Sequence, residues 1–377
     1  MRILLCAWLG LTLLGNCAHY DATSAWLGLS IFRPIAPWWN RSWGLRRSVT
    51  IANHGTTLSD VPVLIPLSSS NFSYANAQSN GMDVCFADSS QTQLAFERDV
   101  YNTAGNSAFW IRIPTLPSGS TTVYMYYNSQ STCPSTGSVW DSNFRAVYHL
   151  SSDPSASVPD SANSNALTGI AMTAANLTST QTGYGFLLDG TTQYLTAPDS
   201  PTLQIASSLS LEVVYKLSSY TLNAHYLVEK GDSDFDNYSL YLKRTGAFGC
   251  TSPIGCAAFE FRDAGSSYFD ITGAKDMTTG TWHTLAANVD ATGGTVDFYL
   301  DGSFSESLPA SLPGNMWPQV LSIGRQSFGA SSFLFSGTMD EVRISSALRS
   351  ADYFAFVHDN VTAGSTPTIG AEETQPF

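Results

Sequence analysis

The sequence predicts an all-β protein made of two antiparallel sandwiches in succession. Apolar and polar residues alternate at period two in nearly every segment, and clusters of Gly, Asn, Asp, Ser and Pro separate these segments. Successive side chains of a strand point to opposite faces of its sheet, so the alternation indicates strands with one buried face. Charged residues make up only 12% of the 377 residues, about half the usual ~25%, which excludes a disordered or long-helical chain.

Two Asp-Gly pairs and one helical segment complete this pattern. Asp189-Gly190 and Asp301-Gly302 lie between alternating runs, and such pairs favour β-hairpin turns. Helical periodicity occurs only in ALRSADYFAFVHDN, where Ser350 is placed to cap a short helix. The predicted strands lie in RRSVTIAN, VPVLIPL, FWIRIP, TVYMYY, SLSLEVVYKL, AFEFRD, TVDFYLDG and EVRIS.

The N-terminal segment predicts export. Arg2 precedes an apolar run, residues 3–14, which is too short to span a bilayer and is typical of a signal peptide. Two processing routes stay open: cleavage before Trp26, which releases the protein, or lipidation at Cys17 in the lipobox-like LGNC. Secretion is favoured because Asn16 stands where a lipobox usually has a small residue. We therefore expect a secreted or cell-surface protein, with an outer-membrane lipoprotein as the alternative.

A linker divides the exported chain into two domains. Pro134 and Gly137 interrupt residues 133–143, and a new set of strands begins at Phe144. The predicted organisation is a signal peptide at 1–25, a Trp-rich linker or first strand at 26–38, a sandwich at 39–132, the linker at 133–143, a second sandwich at 144–372, and a tail at 373–377.

Four cysteines follow the predicted signal peptide and the Trp-rich segment at the N-terminus. An even number in an exported protein indicates disulfides. Cys250 and Cys256 flank the Pro/Gly turn TSPIG and are predicted to close a hairpin, which leaves Cys85 and Cys133 as the second pair by elimination. A zinc site is disfavoured because no CxxC or spaced His accompanies them.

A net charge of −13 restricts the partners of the chain. It repels phosphate backbones, and no basic stripe offsets it, so nucleic acid is disfavoured. Acidic loops suit hard cations such as Ca²⁺. Asp232, Asp234 and Asp236 in GDSDFDNY can converge on one such ion, with a solvated turn as the alternative. An EF-hand is excluded because Lys243 takes the place of its bidentate Glu.

The first domain carries the segments WNRSWGLRRSVTIAN, VPVLIPL, NGMDVCFADSS, LAFERD and FWIRIPTLPSGSTTVYMYYN. On these segments, residues 39–129 resemble an uncharacterised β-rich domain of bacterial and archaeal surface proteins. Asn128-Ser129 replaces the usual Gly-Asn ending of that family. Its members have no established activity, commonly precede a laminin-G-like domain, and are in some cases associated with MotA/TolQ/ExbB-type proton channels.

The second domain carries AVYHLSSD, GFLLDGTTQYLTAPDSPTL, GTWHTLAANVDATGGTVDFYLDG, LSIGRQ and FSGTMDEVRISSALRSADYF, in this order. On these segments, residues 144–372 resemble a laminin-G-like domain of the concanavalin A-like superfamily. The resemblance implies a jelly roll of two stacked antiparallel sheets. It also implies that the concave face or the rim loops bind glycans or proteins, often with calcium.

The resemblance implies a structural calcium site near the last strands. Asp340 in GTMDEVRIS takes the place of an acid that often meets this ion, and Asp160 in PDSANSN can supply a second ligand. The alternative for Asp340 is a carboxylate paired with Arg343 or backbone amides, and for Asp160 it is a turn-forming Asp.

Three residues are candidates for ligand binding. Trp317 lies in the Pro-bounded loop PGNMWPQ, where an exposed indole can stack on a sugar ring. Tyr238, in the acidic loop, and Arg325, in LSIGRQ, are the other two. Packing in the core is the alternative for the aromatic residues.

Glu212 and Glu260 are the carboxylates to test for catalysis. Each lies on the polar face of a predicted strand, and two acids on one concave sheet can form a glycosidase pair. Cross-strand ion pairs with Lys216 and Arg262 are the favoured alternative, because the chain lacks the ExDxxE-type pattern of jelly-roll glycosidases.

These observations predict an exported, non-catalytic surface protein that recognises polysaccharide or a glycoconjugate, with calcium stabilising its loops. A structural or adhesive protein that self-assembles or contacts other surface proteins through edge strands is the alternative. A glycan-active hydrolase is the weakest of the three.

Overall fold

The computed structural model describes residues 37–232, 236–263, 267–275, 277–310, 314, 316–327, 333–363 and 367–376. The predicted signal peptide, Cys17, Trp26 and Asp234 lie outside these residues. Within them, antiparallel strands build two sandwiches, which confirms the all-β fold class.

The first sandwich begins with six strands, which are β1 Leu45–Asn53, β2 Leu58–Leu67, β3 Cys85–Asp88, β4 Phe96–Val100, β5 Ser107–Leu116 and β6 Gly119–Tyr127. The strands that follow are β7 Phe144–Tyr148, β8 Ser157–Val158, β9 Leu167–Ile170, β10 Leu177–Ser179, β11 Tyr184–Asp189, β12 Tyr194–Ala197, β13 Leu209–Leu217, β14 Ala224–Lys230, β15 Tyr238–Lys243, β16 Cys256–Arg262, β17 Tyr268–Lys275, β18 His283–Asp290, β19 Thr295–Leu300, β20 Ser303–Pro309, β21 Leu321–Ile323, β22 Ser336–Ser345 and β23 Thr368–Thr374. The helix α1 spans Ala351–His358, and Ser350 caps it as predicted, its hydroxyl accepting the Tyr353 amide.

Two sheets form the first sandwich, in the strand orders β23-β1-β6-β3 and β2-β5-β4. Val49 and Ile51 of β1 are fully buried in its core, as are Val63 and Ile65 of β2. This follows from the period-two pattern, which places every second side chain on the inner face. The predicted disulfide Cys85–Cys133 is present and ties β3 to the linker.

Two larger sheets form the second sandwich. The β13 sheet has the order β10-β11-β22-β13-β18-β19-β20, with β7 also paired to β22, and the β14 sheet has the order β17-β16-β15-β14-β21-β12-β9-β8. Apolar side chains such as Leu211 of β13 and Leu240 of β15 fill the space between them. The second predicted disulfide, Cys250–Cys256, closes the loop between β15 and β16.

The C-terminal strand β23 belongs to the first sandwich. It pairs antiparallel with β1, from Leu45 opposite Thr374 to Thr50 opposite Thr368. This placement corrects the prediction that residues up to 372 complete the second sandwich and that a tail follows. The physical reason is the ladder with β1, together with an ion pair of 2.7 Å between Arg46 and Glu373. The second sandwich is therefore inserted between β6 and β23 of the first.

The two sandwiches share an apolar core at their junction. Phe354 and Phe356 of α1 are buried and belong to the same cluster as the core of the first sandwich. The side-chain amide of Asn360 bonds both the N–H and the C=O of Leu64 in β2, at 2.7 and 3.0 Å. Over the residues just described, no helix is long and apolar enough to cross a bilayer.

Candidate functional site

A polar groove opens at one end of the second sandwich. Two segments, within residues 163–168 and 198–202, line about 590 Å³ of space, mainly with Asn, Asp, Ser and Thr. The Thr202 hydroxyl donates to the Asn165 side-chain oxygen at 3.1 Å, so the two segments are bonded to each other. Side chains of this kind can exchange hydrogen bonds with the hydroxyl groups of a ligand.

Trp317 lies in a loop that buried polar side chains hold in place. The side chain of Asn237 donates to the Trp317 carbonyl at 2.8 Å and accepts the Trp317 amide at 2.9 Å. The Lys230 ammonium donates to the carbonyl of Gln319 and to Asp199, a residue of the groove, at 2.5 Å each. Asn237 and Lys230 are fully buried, whereas Trp317 is partly exposed. Residues 316–320 of this loop and the groove segments within residues 163–168 and 198–202 are together called the rim below.

Three acidic side chains meet on the outer face of the β14 sheet. One carboxylate oxygen from each of Glu229, Asp236 and Glu260 lies within 4.8 Å of the other two, and we call these residues the carboxylate cluster. Strand register explains part of this arrangement, because Ser239 of β15 lies opposite Glu229 of β14 on one side and opposite Glu260 of β16 on the other. Asp236 comes just before β15 and joins them.

The oxygens of the cluster differ in their partners. Glu260 accepts hydrogen bonds from the Tyr226 and Tyr268 hydroxyls, at 2.7 and 2.6 Å. Oε2 of Glu229 accepts the Ser327 amide. Oε1 of Glu229 and the Ser239 hydroxyl have no hydrogen-bond partner among the described residues, although both side chains are fully buried. Buried polar atoms without a partner are rare in folded proteins.

Burial and mutual repulsion control the ionisation of the cluster. Burial raises the pKa of Glu229 to about 8, and the nearby charges of Glu260 and Asp236 act in the same direction. Burial also raises the pKa of Glu260. Arg262 is a cation near the cluster, with its Nε 3.9 Å from Asp236. Three ionised carboxylates at this separation need a compensating positive charge.

Aromatic rings cover the same face. Tyr226 and Tyr241 stack with ring centroids 4.4 Å apart and nearly parallel planes, and Phe333 stacks on Tyr226 at 6.4 Å. Tyr226 is 3% exposed and Tyr241 is 2% exposed. Tyr226 and Tyr241 are therefore too buried to stack on a sugar ring.

Asp160 and Asp340, two of the predicted metal ligands, take part in hydrogen bonds within the chain. Asp160 accepts three backbone amides, those of Val147, Ala162 and Asn165, and also the side-chain amide of Asn165, as a turn-forming Asp does. Asp340 is buried and accepts the Thr182 hydroxyl, and burial raises its pKa well above its usual range. Asp340 therefore meets neither Arg343 nor Asp160 in the bonds that the structure records.

The acidic loop contributes one of its three residues to the carboxylate cluster. Asp236 joins the cluster, whereas Asp232 lies four positions earlier in the sequence and is partly exposed. Asp234 lies outside the described residues. The partners of Asp236 in the cluster come from strands and not from the loop.

The two predicted catalytic acids lie on different sheets. Glu212 belongs to β13 and forms an ion pair of 2.7 Å with Arg343, whereas Glu260 belongs to β16 of the β14 sheet. The two acids therefore do not share one concave sheet. Glu212 does form the favoured cross-strand ion pair, with Arg343 as the partner in place of Lys216. Alternation within single strands cannot tell which of two stacked sheets a strand joins.

The remaining ligand candidates separate into core and surface. Tyr238 is fully buried and donates its hydroxyl hydrogen to the Leu203 carbonyl at 3.0 Å, so it is a core residue and not part of the rim. Arg325 is partly buried, and its guanidinium lies 4.4 Å from the centre of the Tyr194 ring. Of the three, Trp317 is the residue that lies in the rim.

The sequence pattern did not predict Glu229 as a site residue. Its segment, AHYLVEK, places an acid and a lysine directly after an apolar run, and both are fully buried. Charged residues are almost never fully buried unless they are paired, so a charge inside such a strand is the pattern that could have identified it.

A second charged cluster fills the junction between the sandwiches. His149, after β7, lies 2.8 Å from Glu341 of β22 and 3.7 Å from Glu97 of β4. Asp99 of β4 lies within the same group, and burial raises its pKa to about 6. Burial alone would lower the pKa of His149, but the charges of Glu341 and Asp99 outweigh it and hold this pKa well above the usual value. The imidazolium compensates the carboxylates here, so the cluster acts as an ion-pair network.

We expect the His149→Gln substitution to remove a pH dependence of stability. The folded protein keeps a proton on His149 that the unfolded chain loses above its ordinary pKa of 6.5. The stabilisation is therefore fully present below pH 6.5 and declines above it, by about 1.4 kcal/mol per pH unit, until the folded group also titrates. Urea unfolding between pH 6 and 9 measures this as a shrinking difference between wild type and variant. A constant difference would contradict the protonated state.

Two family models match parts of the chain. Residues 189–353 match the model described as the concanavalin A-like lectin/glucanases superfamily, and residues 80–148 match a domain of unknown function (DUF2341). These matches confirm the two family resemblances over the residues they cover. No protein among the curated ones matches the chain.

Solved structures with low identity resemble the chain over part of its length. Domain 4 of AbnA, an extracellular GH43 arabinanase from Geobacillus stearothermophilus, in complex with arabinotriose, is 19% identical with a TM-score of 0.42, covering 56% of this chain and 97% of its own. The binding domain of botulinum neurotoxin serotype D is 12% identical with a TM-score of 0.43, covering 58% and 51%. The binding domain of Paraclostridial Mosquitocidal Protein 1 is 13% identical with a TM-score of 0.42, covering 58% and 52%. The chain spans about half the length of these two toxin binding domains.

Proposed function

We propose that the protein is exported to the cell surface and that the rim of its second sandwich binds polysaccharide or a glycoconjugate without cleaving it. The observation that carries this proposal is the partly exposed Trp317, held beside a polar groove by the buried side chains of Asn237 and Lys230. A loop whose backbone is fixed in this way loses little conformational entropy when a ligand binds.

The chemistry of the rim suits a sugar. The flat face of an indole packs against the apolar C–H face of a pyranose or furanose ring. Asn, Ser and Thr of the adjoining groove supply donors and acceptors for its hydroxyl groups. Asp199, a carboxylate of the groove, is engaged by Lys230 at 2.5 Å, which supports recognition over acid–base catalysis. The separation of Glu212 and Glu260 onto different sheets also favours a binding role.

Replacing Trp317 with alanine is expected to weaken glycan binding about tenfold, because the stacking platform is lost. Affinity electrophoresis in gels that contain arabinan, xylan, laminarin or pectate measures the retardation of each variant. Phe304→Ala is the matched control, since Phe304 is 54% exposed on β20 of the other sheet. Equal retardation of wild type and Trp317→Ala, or no retardation by any of these polymers, would contradict the proposal.

A structural or adhesive role is the second candidate. Strand β20 is the edge of the β13 sheet, most of its residues are exposed, and Phe304 projects from it. Such an edge can accept a strand of another protein or another copy of this chain. Sedimentation velocity tests it: Phe304→Ala should abolish assembly and leave glycan retardation unchanged.

A further inference from the structure

We propose that the carboxylate cluster binds one calcium ion, at a site separate from the rim and independent of the glycan binding proposed above. Glu229, Asp236 and Glu260 supply carboxylate oxygens, and the Ser239 hydroxyl lies between the two glutamates in the strand register. The acidic loop of the sequence thus contributes a single ligand, and three neighbouring strands provide the rest of the site.

The spacing of the oxygens fits a shared ion. Calcium binds oxygen ligands at about 2.3–2.6 Å, so two oxygens on opposite sides of one ion lie about 5 Å apart. The three carboxylate oxygens, one from each acidic residue of the cluster, lie within 4.8 Å of one another. They come from the ends of β14 and β16 and from the residue that precedes β15 by two positions, so the sheet itself fixes their separation.

Unpartnered polar atoms within the cluster point independently to a ligand. Oε1 of Glu229 and the hydroxyl of Ser239 are fully buried, and neither has a hydrogen-bond partner in the described part of the chain. Leaving such atoms unsatisfied destabilises the folded state. The other oxygens have partners, since tyrosine hydroxyls bond Glu260 and the Ser327 amide bonds Oε2 of Glu229. The two unpartnered atoms lie on adjacent strands in direct register, where one ion can contact both.

The charges around the cluster favour a divalent cation. Lys243, the other nearby base, bonds Asp270 at 2.7 Å and is therefore engaged. Arg262 lies 3.9 Å from Asp236 and adds one positive charge beside the cluster. A divalent ion together with Arg262 balances three negative charges. A single proton on Glu229 also relieves the repulsion, and burial raises the pKa of this group to about 8, which makes the proton the competing occupant.

The donor set selects calcium among common ions. Carboxylate and hydroxyl oxygens bind hard cations, and the cluster contains no His or Cys that would favour zinc or copper. Magnesium keeps several of its waters and demands an octahedral arrangement, which a buried cluster with three carboxylates serves poorly. Calcium accepts irregular sets of six to eight oxygens.

The test measures calcium directly on the full chain without glycan. Terbium, which replaces calcium and emits when nearby tyrosines are excited, should bind with Tyr226 and Tyr268 as sensitisers, and calcium should displace it. After chelation with EDTA, saturating CaCl₂ should raise Tm by about 5 °C, and MgCl₂ should raise it much less. Glu229→Gln should raise Tm in EDTA at pH 8, because it removes a buried charge, and should abolish the calcium shift. Glu306→Gln, on β20, is the matched control and should behave as wild type.

Ser239→Ala provides a variant that keeps all three carboxylates. It should retain the fold and weaken calcium binding severalfold, so the site can be judged even where Glu229→Gln folds poorly. Trp317→Ala should bind calcium as wild type does, which keeps failure of this site distinct from failure of the rim. Two outcomes would overturn the proposal. In the first, calcium still raises the Tm of both Glu229→Gln and Ser239→Ala. In the second, calcium does not change the Tm of the wild type, and the stability of the wild type depends on pH in a way that Glu229→Gln removes.

Discussion

Replacing Arg343 with alanine is expected to lower the free energy of unfolding by about 3–5 kcal/mol. The Arg343 side chain is 1% exposed and pairs with Glu212 at 2.7 Å and Glu341 at 3.1 Å. Its guanidinium also lies 4.8 Å from the ring centre of Trp110 and 5.3 Å from that of Trp140. The substitution leaves two buried carboxylates without their cation and opens a space between the indoles. Urea unfolding at pH 7 measures the loss.

Arg112→Ala is the matched control for this experiment. Arg112 also contacts a carboxylate at 2.7 Å, that of Asp60, but the two side chains are 33% and 42% exposed. Exposed pairs of this kind contribute about 0–1 kcal/mol. The Glu341→Gln background should reduce the effect of Arg343→Ala, because fewer charges then depend on the guanidinium. If Arg343→Ala and Arg112→Ala lower the free energy of unfolding by similar amounts, burial of the ion pairs of Arg343 does not stabilise the protein.

Deleting residues 368–377 is expected to destabilise the first sandwich more than the second. The deletion removes β23, exposes the backbone of β1 along five paired positions, and leaves the buried Arg46 without Glu373. We expect the Tm of the first sandwich to fall by roughly 10 °C or more, since 1 kcal/mol corresponds to about 4–8 °C in a domain of 60–100 residues. Differential scanning calorimetry should resolve this as an earlier transition. The exposed edge should also promote aggregation.

A shorter deletion separates the strand from the residues after it. Removing 375–377 keeps every paired position of β23 and loses one backbone bond, from Gln375 to the Gly44 carbonyl. This variant should unfold nearly as wild type does. If the two deletions behave alike, the ladder between β1 and β23 does not stabilise the first sandwich.

The fold class was predictable because period-two alternation reflects burial of one sheet face. Segments such as SLSLEVVYKL and TVYMYY become β13 and β6. The return of β23 was not predictable, because TIGAEET lacks strong alternation and its partner, β1, lies about three hundred residues earlier in the chain. Local pattern identifies strands, whereas long-range pairing depends on contacts that no short segment contains.

The candidate site was predictable in part. The Pro-bounded loop identified Trp317, and the acidic loop identified Asp236. Glu229 was not identified, because an acid inside an apolar strand gives no spacing that indicates metal binding, and its partners come from other strands. Glu212 and Glu260 each lie on the polar face of a predicted strand, but these two strands belong to different sheets.

The insertion of the second sandwich between β6 and β23 determines the order in which the chain can fold. Synthesis completes all strands of the second sandwich before β23 appears, so the jelly roll can close while the first sandwich still lacks an edge. The usual order, in which the N-terminal unit folds first as the ribosome releases it, is therefore reversed at the last step. Until β23 arrives, the open side of β1 can recruit a wrong strand.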